Sequence, residues 1–561
     1  AVCALTVSSL LMPSVSLAAE WVKVGGNRYN TAASDEAGTW SWDGANDLKL
    51  NNYNGGEIQA AGKLNVNYSG NNIVTAEWIE SINVSHGTDE NAELNIQGDA
   101  GSTLSVTSTE DAILSTGNIN IDGAGSVNAT STGLDAINAG GDLAIKGSGN
   151  VNATGASDGV RANGNITIDD NGAVAARATK DKGIGTDKNL TIKGGGTVEA
   201  SSEKDAAVEA KGSLAATNAS LNVNGVEYGV YAHKGITLDH ANVTVRASKG
   251  RYGGAIALFT YQDDIVVKNG STVDALAEGE VSAAFSTRND RPNEKGGHIY
   301  ISDSVVKAIA RYVENGDGPI PYSENQDGET RREPQGENIG IIAQTSEGVT
   351  PAVISIIRSK VTVEGDTAAI FARAMSADGK TIGTIKIENA AIQTPEDGKV
   401  IDYRKLRDGI CEAGQAIGTG DATVDSLYIK AVAKSTTIAP PEVAKPEDPK
   451  PDETKQNPKP EAQSRPRPLR LQPRKPRLPA CSRQPATPRV RPSWQPSLRE
   501  QPLSPQAPWR AVSALRRLCA HGSSREGPEP QHRLTTPPPS SPPAVAFSIC
   551  VRRGCTRLSL V

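Results

Sequence analysis

Cysteine is scarce in this chain of 561 residues, which holds 6 in all. Only Cys411 lies between Cys3 and Cys481. One thiol cannot form an internal bridge, and no Cys-x-x-Cys or Cys/His metal spacing occurs. The sequence therefore predicts neither a disulfide framework nor a metal site, and it predicts no cofactor. Stability must come from aliphatic side chains and backbone hydrogen bonds.

Long apolar runs are also missing beyond the first residues, so no transmembrane helix is predicted. Residues 1–19 are small and apolar and end at Glu20, with Ser16 and Ala18 where a signal peptidase favours small residues. We interpret them as a partial signal peptide and expect a secreted protein. The run has no basic segment before it and the first residue is not Met, so we expect the true N-terminus to be missing. The alternative is a short buried strand.

What the sequence does contain is a unit of about 24 residues that recurs through its middle. Its leading apolar positions are Ile119, Leu143, Ile166, Leu190, Leu214 and Ile236. A second apolar series runs in step, with Val127, Val151, Val174, Val198, Leu221 and Val243. A third consists of Ile137, Val160, Ile184, Val208 and Val230. A fixed period of this length is typical of solenoids.

Each unit holds three short segments of alternating apolar and polar residues, separated by Gly, Asn, Asp and Thr. Alternation with period 2 indicates strands, and three strands in about 24 residues leave no room for a crossover helix. The sequence therefore predicts an all-β, single-stranded, right-handed parallel β-helix of about eleven coils over residues 61–435. A β-sandwich or propeller is the remaining alternative.

A polar residue precedes the first apolar position in successive units: Asn118, Asp142, Asn165, Asn189 and Ser213. Stacked coils would place these side chains one above another. We therefore expect a ladder of hydrogen bonds along the solenoid. The alternative is that Asn and Asp recur here only because they favour turns.

The segment before the regular coils, residues 20–60, contains Trp21, Trp40 and Trp42. We interpret it as an N-terminal cap that covers the open end of the solenoid. Exposed indole rings would alternatively stack on sugars, so Trp40 and Trp42 are also candidate ligand-binding residues.

The C-terminal part has a different composition. Residues 436–463 alternate Pro with Lys and Glu and predict a stiff, solvated spacer. Residues 464–561 carry 17 Arg and one Lys against three Glu, about +15, which leaves 40 basic and 61 acidic residues, about −21, in the rest. We expect this tail to be disordered. It is either an Arg-rich arm for an anionic polymer or an out-of-frame translation, and without interleaved aromatic residues it does not predict nucleic-acid binding.

Two polar insertions interrupt neighbouring coils, at residues 286–298 and from Arg311 to about Asn338. Long loops on a rigid scaffold are where binding residues are usually placed. The candidates are Arg288, Asp290, Arg291, Tyr312, Tyr322, Arg331 and Arg332. Equally, these are ordinary solvated charges.

No catalytic constellation is recognisable. Glycoside hydrolysis needs two carboxyl groups about 5–9 Å apart on opposite sides of the bond. The adjacent pairs Asp169-Asp170 and Asp263-Asp264 cannot supply this alone, because neighbours on a strand point to opposite faces. The sequence therefore predicts no enzyme.

The repeat, the secretion signal, the lead-in Trp-Ser-Trp-Asp-Gly-Ala-Asn-Asp-Leu-Lys-Leu at 40–50 and the charged Pro-rich spacer together resemble a family. It is that of secreted, pectin-lyase-like β-helix repeat proteins of Gram-positive bacterial surfaces, of the carbohydrate-binding type. The resemblance covers roughly residues 20–435 and supplies no catalytic residues. It implies a cell-surface protein attached to the wall through the spacer and partnered by host or bacterial glycans or surface proteins.

Three functional classes follow from these observations. The first is a non-catalytic adhesin or carbohydrate-binding rod. The second is a polysaccharide lyase or glycoside hydrolase of the same fold. The third is an autotransporter-like passenger, for which residues 464–561 offer no alternating strands.

Overall fold

A computed structural model describes residues 18–77, 80–85, 92–248, 254–291, 296–313, 337–346, 348–376, 381–407, 410–419 and 432–441. These residues contain 45 strands and no helix, which confirms the all-β prediction. None of the described segments could therefore span a bilayer in helical form.

The strands before the regular stack and in its first two coils are β1 (Val22–Val24), β2 (Asn27–Tyr29), β3 (Ala33–Ser34), β4 (Trp40–Trp42), β5 (Asp47–Asn51), β6 (Asn54–Gly55), β7 (Ile58–Ala60), β8 (Lys63–Ser69), β9 (Asn71–Ala76) and β10 (Ile82–Val84). The next coils contain β11 (Glu93–Gly98), β12 (Thr103–Ser108), β13 (Ile113–Ser115), β14 (Asn118–Gly123), β15 (Ser126–Ser131), β16 (Ile137–Ala139), β17 (Leu143–Gly147), β18 (Val151–Gly155), β19 (Val160–Ala162), β20 (Ile166–Asp170), β21 (Ala173–Ala178) and β22 (Ile184–Thr186). They continue with β23 (Leu190–Lys193), β24 (Thr197–Ser202), β25 (Val208–Ala210), β26 (Leu214–Thr217), β27 (Ser220–Val226), β28 (Tyr228–Ala232), β29 (Ile236–Asp239), β30 (Asn242–Ser248), β31 (Gly254–Thr260), β32 (Ile265–Lys268), β33 (Thr272–Gly279) and β34 (Val281–Asn289). The last strands are β35 (Ile299–Ser302), β36 (Val305–Tyr312), β37 (Asn338–Thr345), β38 (Val353–Ile357), β39 (Lys360–Gly365), β40 (Ala368–Ser376), β41 (Thr384–Glu388), β42 (Ala391–Thr394), β43 (Lys399–Arg407), β44 (Ile410–Gly418) and β45 (Ser435–Ala439).

Strands β5 to β40 form consecutive groups of three, and each group is one coil of the solenoid. The first strand of every coil belongs to sheet 1 (β5 to β41), the second to sheet 2 (β6 to β39) and the third to sheet 3 (β7 to β40). These 36 described strands form twelve coils, and β41 begins another. The structure thus confirms the parallel β-helix. The first of these coils, Asp47–Ala60, falls in the segment that the sequence assigned to the cap.

The three apolar series occupy equivalent positions in successive coils, one series in each sheet. Cα partners include Ile119 with Leu143 in sheet 1, Val127 with Val151 in sheet 2 and Ile137 with Val160 in sheet 3. All of these side chains are buried in one continuous aliphatic core. Parallel strands lie about 4.8 Å apart, so each side chain contacts its equivalents in the coils above and below.

The polar ladder predicted before sheet 1 is present. Asn118 Oδ1 accepts the backbone N–H of Asp142 at 2.8 Å, and Asp142 Oδ1 accepts that of Asn165 at 2.6 Å. Asn165 Oδ1 in turn accepts the N–H of Asn189 at 3.3 Å, and Asn189 Oδ1 accepts that of Ser213 at 3.0 Å. Each side chain therefore satisfies a turn amide that strand pairing leaves free.

Both ends of the stack change from parallel to antiparallel pairing. At the start, β1 pairs antiparallel with β2 and β7, and β4 pairs antiparallel with β3 and β5. At the end, β44 pairs antiparallel with β40 and β43, and β45 with β39 and β42. These strands cover backbone groups of the terminal coils that would otherwise present open edges.

The limits of the folded body differ slightly from the segments assigned by sequence. Ala18 forms a bridge with Lys63 and Ala19 is buried, although both belong to the run assigned to the signal peptide. Strand β45 includes residues 436–439, which the sequence assigned to the spacer. The rest of that spacer from residue 442 and the Arg-rich tail lie outside the described residues.

Candidate functional site

The outer face of sheet 3 carries ring side chains in its middle coils. In β28, Val230 packs in the core, and the alternation of a strand turns its neighbour Tyr231 outward. In β31, Ala257 and Leu258 both point into the core, so the outward positions fall at Ile256 and Phe259. Tyr231 and Phe259 are Cα partners in the parallel pairing, which stacks their rings.

Four rings contact one another there, and we call Tyr228, Tyr231, His233 and Phe259 the aromatic strip. Ring centroids of Tyr231 lie 5.1 Å from Tyr228, 5.1 Å from Phe259 and 4.4 Å from His233. The ring centroids of Tyr228 and Phe259 are 5.4 Å apart, and the two ring planes are nearly parallel, with an angle of 19° between them. Only 4% of the whole chain is aromatic, and no other ring cluster among the described residues has more than two members. The strip is therefore a local concentration that composition does not explain.

The strip is half-buried. Tyr228, Tyr231 and His233 keep part of their surface in solvent, while Phe259 is almost covered. Burial raises the pKa of Tyr231 to about 12 and also raises that of Tyr228. Both phenols therefore stay protonated at neutral pH. The side chain of Tyr228 is hydrogen-bonded to Glu227, and the hydroxyl of Tyr231 can donate a hydrogen bond to a ligand.

Carboxylates border the strip on the side of the preceding coils. We call Asp181, Asp205, Glu209 and Glu227 the carboxylate rim. Glu209 is the Cα partner of Tyr231, and its Oε1 lies 3.4 Å from His233 Nε2. Glu227 directly precedes Tyr228, and burial raises its pKa. The rim and the rings thus form one continuous surface.

One ammonium group, that of Lys182, lies within the rim. Its Nζ is 3.4 Å from Asp205 and 3.4 Å from Glu209, and it also contacts Asp181. Burial alone would lower the pKa of Lys182, but these carboxylates raise it above its ordinary value. Lys182 therefore stays charged and joins three acidic groups.

A row of buried carboxylates leads to this cluster along the corner before sheet 3; we call Asp111, Asp135 and Asp158 the aspartate ladder. Oδ1 of Asp111 accepts the backbone N–H of Asp135 at 2.9 Å, and Oδ1 of Asp135 accepts that of Asp158 at 2.8 Å. Oδ1 of Asp158 then accepts the N–H of Lys182 at 2.7 Å. The side chain of Asp158 is further paired with Arg161 at 3.2 Å.

Burial raises the pKa of all three carboxyls of the aspartate ladder, and that of Asp158 to about 6. The aspartate ladder was not predicted from the sequence. The signal was available, because Asp recurs two residues before Ile113, Ile137 and Val160 of the third apolar series.

The predicted residues Arg288, Asp290 and Arg291 lie beside the strip, where β34 ends. Asp290 Oδ2 accepts from Arg288 Nε at 2.8 Å and from the hydroxyl of Tyr261 at 3.4 Å. Arg291 faces the side-chain oxygen of Gln262, with Nη2 at 2.6 Å. Tyr261 follows β31, so this loop is held against the strands that carry the rings.

Tyr312 lies elsewhere. It ends β36 on sheet 2, is 46% exposed, and its backbone N–H donates to Asp366 Oδ2 at 2.6 Å. The structure therefore places Tyr312 at the C-terminal end of β36 in sheet 2, and Arg288 near the C-terminal end of β34 in sheet 3. Tyr322, Arg331 and Arg332 lie outside the described residues.

Trp40 and Trp42 belong to β4 in the antiparallel start of sheet 1. They are 7% and 2% exposed and pack in the main core, with Trp40 also 5.1 Å from the ring of Tyr29. Burial on this scale leaves no ring face for a sugar. The cap interpretation therefore accounts for both residues.

The described residues bring no three His, Cys, Asp or Glu side chains together as a set of metal ligands. We compared the chain with models of protein families, with curated proteins and with solved structures, and none of them matches it.

Proposed function

We propose that this protein is a secreted β-solenoid of a bacterial cell surface that binds carbohydrate, without cleaving it, on the outer face of sheet 3. The observation that carries the proposal is the aromatic strip. A pyranose ring presents C–H groups on one face, and such a face packs well on phenol and imidazole rings. Carboxylates and phenol hydroxyls at the edge of the strip supply hydrogen-bond partners for sugar hydroxyls.

The scaffold favours this function because it fixes the rings in advance. Strands β28 and β31 are each paired on both sides within sheet 3, and Val230 and Leu258 anchor them in the core. Ligand binding then costs little ordering of the protein. An acidic body followed by a Pro-rich spacer sequence also suits display at a distance from the cell wall.

One observation favours catalysis as a second candidate function. Asp205 and Glu209 each lie 3.4 Å from Lys182 Nζ, so their carboxylate oxygens are at most about 7 Å apart. This upper limit allows the separation of about 5–5.5 Å that retaining glycoside hydrolases use. A polysaccharide cleaved at this site would make the protein an enzyme of the alternative class.

The test of binding is a double substitution of Tyr228 and Tyr231 by Ala. We expect affinity for whichever polysaccharide of a panel the purified protein binds to fall about tenfold, because the half-exposed surfaces of two of the four rings are lost. Binding is measured by titration calorimetry or affinity electrophoresis. The control is Tyr300→Ala, which removes a 37% exposed tyrosine from sheet 1. Unchanged affinity in the double variant, or an equal loss in the control, would contradict the proposal.

Cleavage is tested with the same panel. We expect no new reducing ends and no unsaturated products absorbing near 235 nm after long incubation. Reproducible product release that disappears in Asp205→Asn and Glu209→Gln would instead establish an enzyme.

A further inference from the structure

Among the described residues, the charged groups that contact the aromatic strip or one another beside it are predominantly carboxylates. The four carboxylates of the rim, Asp181, Asp205, Glu209 and Glu227, face one ammonium group, that of Lys182. Lys182 already contacts three of them, so it cannot neutralise them all. Glu227 is hydrogen-bonded to the side chain of Tyr228.

The basic groups at the other end of the strip have partners of their own. Arg288 is paired with Asp290 at 2.8 Å, and Arg291 faces the Gln262 oxygen. Asp290 also accepts hydrogen bonds from Tyr261 and Ser346. The guanidinium groups therefore do not offset the carboxylate excess beside Tyr228 and Tyr231.

We propose that the ligand of this surface is a cationic polysaccharide, built from hexoses that carry free amino groups. This inference rests on the proposed function and specifies its ligand. An amino sugar combines a C–H face for the rings with an ammonium group for the rim. Ammonium groups are attracted both to carboxylates and to the faces of aromatic rings.

The charge of the whole body acts in the same direction. Residues 1–463 carry 40 basic and 61 acidic side chains, about −21 in net charge. Such a field attracts polycations and repels polyuronates before any contact forms. Both the local charge and the overall charge of residues 1–463 therefore favour the binding of a ligand of this class.

The test uses three soluble hexamers of similar length. Two share the same backbone of β-1,4-linked glucosamine, one with free amines and one fully N-acetylated. The third is a galacturonate hexamer. Binding to the full chain is measured by calorimetry at mildly acidic pH and low salt, where the free amines are protonated. We expect the amine-bearing hexamer to bind about tenfold more tightly than its acetylated counterpart. Any binding of the uronate should be weaker and should not change in the Glu209→Gln, Glu227→Gln variant, because the Arg-rich residues 464–561 are the part of the chain that attracts polyanions.

Two variants locate the effect. Glu209→Gln combined with Glu227→Gln should remove most of the preference for the free amine, because it deletes the two carboxylates next to the rings. The matched control, Glu199→Gln combined with Glu364→Gln, changes net charge equally but on sheet 2. It should keep the preference. An equal loss in both pairs would show a non-specific charge effect and overturn the inference.

The remaining outcomes separate this inference from the proposed function. If the acetylated and free hexamers bind equally through Tyr228 and Tyr231, or if the uronate binds best, the cationic ligand is wrong and carbohydrate binding stands. If no hexamer and no polysaccharide of the panel binds, both are wrong.

Discussion

Replacing Ile166, Val151 or Val198 by Asp is expected to unfold the solenoid or leave it barely stable. These side chains are 0%, 2% and 3% exposed and lie in the apolar series of sheets 1 and 2. Each Asp would place a carboxylate among aliphatic neighbours without any partner. The expected loss in the free energy of unfolding exceeds about 4 kcal/mol. Thermal unfolding followed by far-UV circular dichroism measures it.

The controls are the residues one position along the same strands. Thr167, Asn152 and Glu199 point away from the core, and Glu199 makes only an exposed ion pair with Arg177 at 3.3 Å. Asp at position 167 or 199 should change stability by no more than about 0.5 kcal/mol. Asn152→Asp should cost about 1 kcal/mol, because the exposed hydrogen bond from Asn152 Nδ2 to Asn128 Oδ1 at 2.8 Å is lost. Similar tolerance in both sets would refute the strand register.

The second large effect is that stability should fall as pH rises through about 6, because of the aspartate ladder. Burial, and then the neighbouring charge of Asp135, raise the pKa of Asp158 from 3.8 to about 6. The folded state therefore binds more protons than the unfolded state between these values. The stabilising effect of the protonated carboxyl is complete below about pH 4 and is lost above about pH 6. The loss is roughly 3 kcal/mol at most.

His298 contributes with the opposite sign and has to be separated from this effect. Its Nδ1 accepts the backbone N–H of Val353 at 3.1 Å, and burial lowers the pKa of the ring below 6.5. Protonation of this histidine destabilises the fold, so its contribution is lost as pH falls below its ordinary pKa. A single pH profile of the native chain would mix both groups.

Two substitutions of Asp158 isolate the ladder. Asp158→Asn keeps an oxygen that accepts the Lys182 N–H but cannot ionise, so urea midpoints between pH 4.5 and 7.5 should vary less than in the native chain. Asp158→Ala should show the same weak pH dependence, but its free energy of unfolding should be about 2 kcal/mol lower, because a buried N–H loses its acceptor. If the Asn variant retains the full pH dependence of the native chain, Asp158 is not the group responsible.

Much of the architecture could be predicted because it repeats. Every coil has to fill the same interior, so Ile119 and its equivalents recur at nearly constant spacing and identify sheet 1 directly. The polar ladder was predictable for the same reason, since each coil leaves the same turn amide free. The antiparallel strands at both ends could not be predicted in this way, because each occurs once and leaves no periodic signal in the sequence.

The aromatic strip could not be found by repetition either. Residues between β30 and β31 lengthen the coil, so the inward position after Val230 is Leu258, 28 residues later in the chain. Glu209, Tyr231 and Phe259 occupy equivalent outward positions but share no residue type. Only the strand pairing shows that these residues are neighbours.

The antiparallel closure of sheet 2 also determines how the molecule responds to mechanical force. Any pull on the chain beyond residue 441 enters the folded body through β45, which lies between β39 and β42. Two hydrogen-bonded ladders, which join Val361 to Ile438 on one side and Ala391 to Ala439 on the other, then resist that pull together. The parallel coils transmit the same force, but they are joined to one another through three sheets, whereas β45 is held in one. A solenoid pulled from this end would therefore yield first at its last strand and keep the aromatic strip intact under tension.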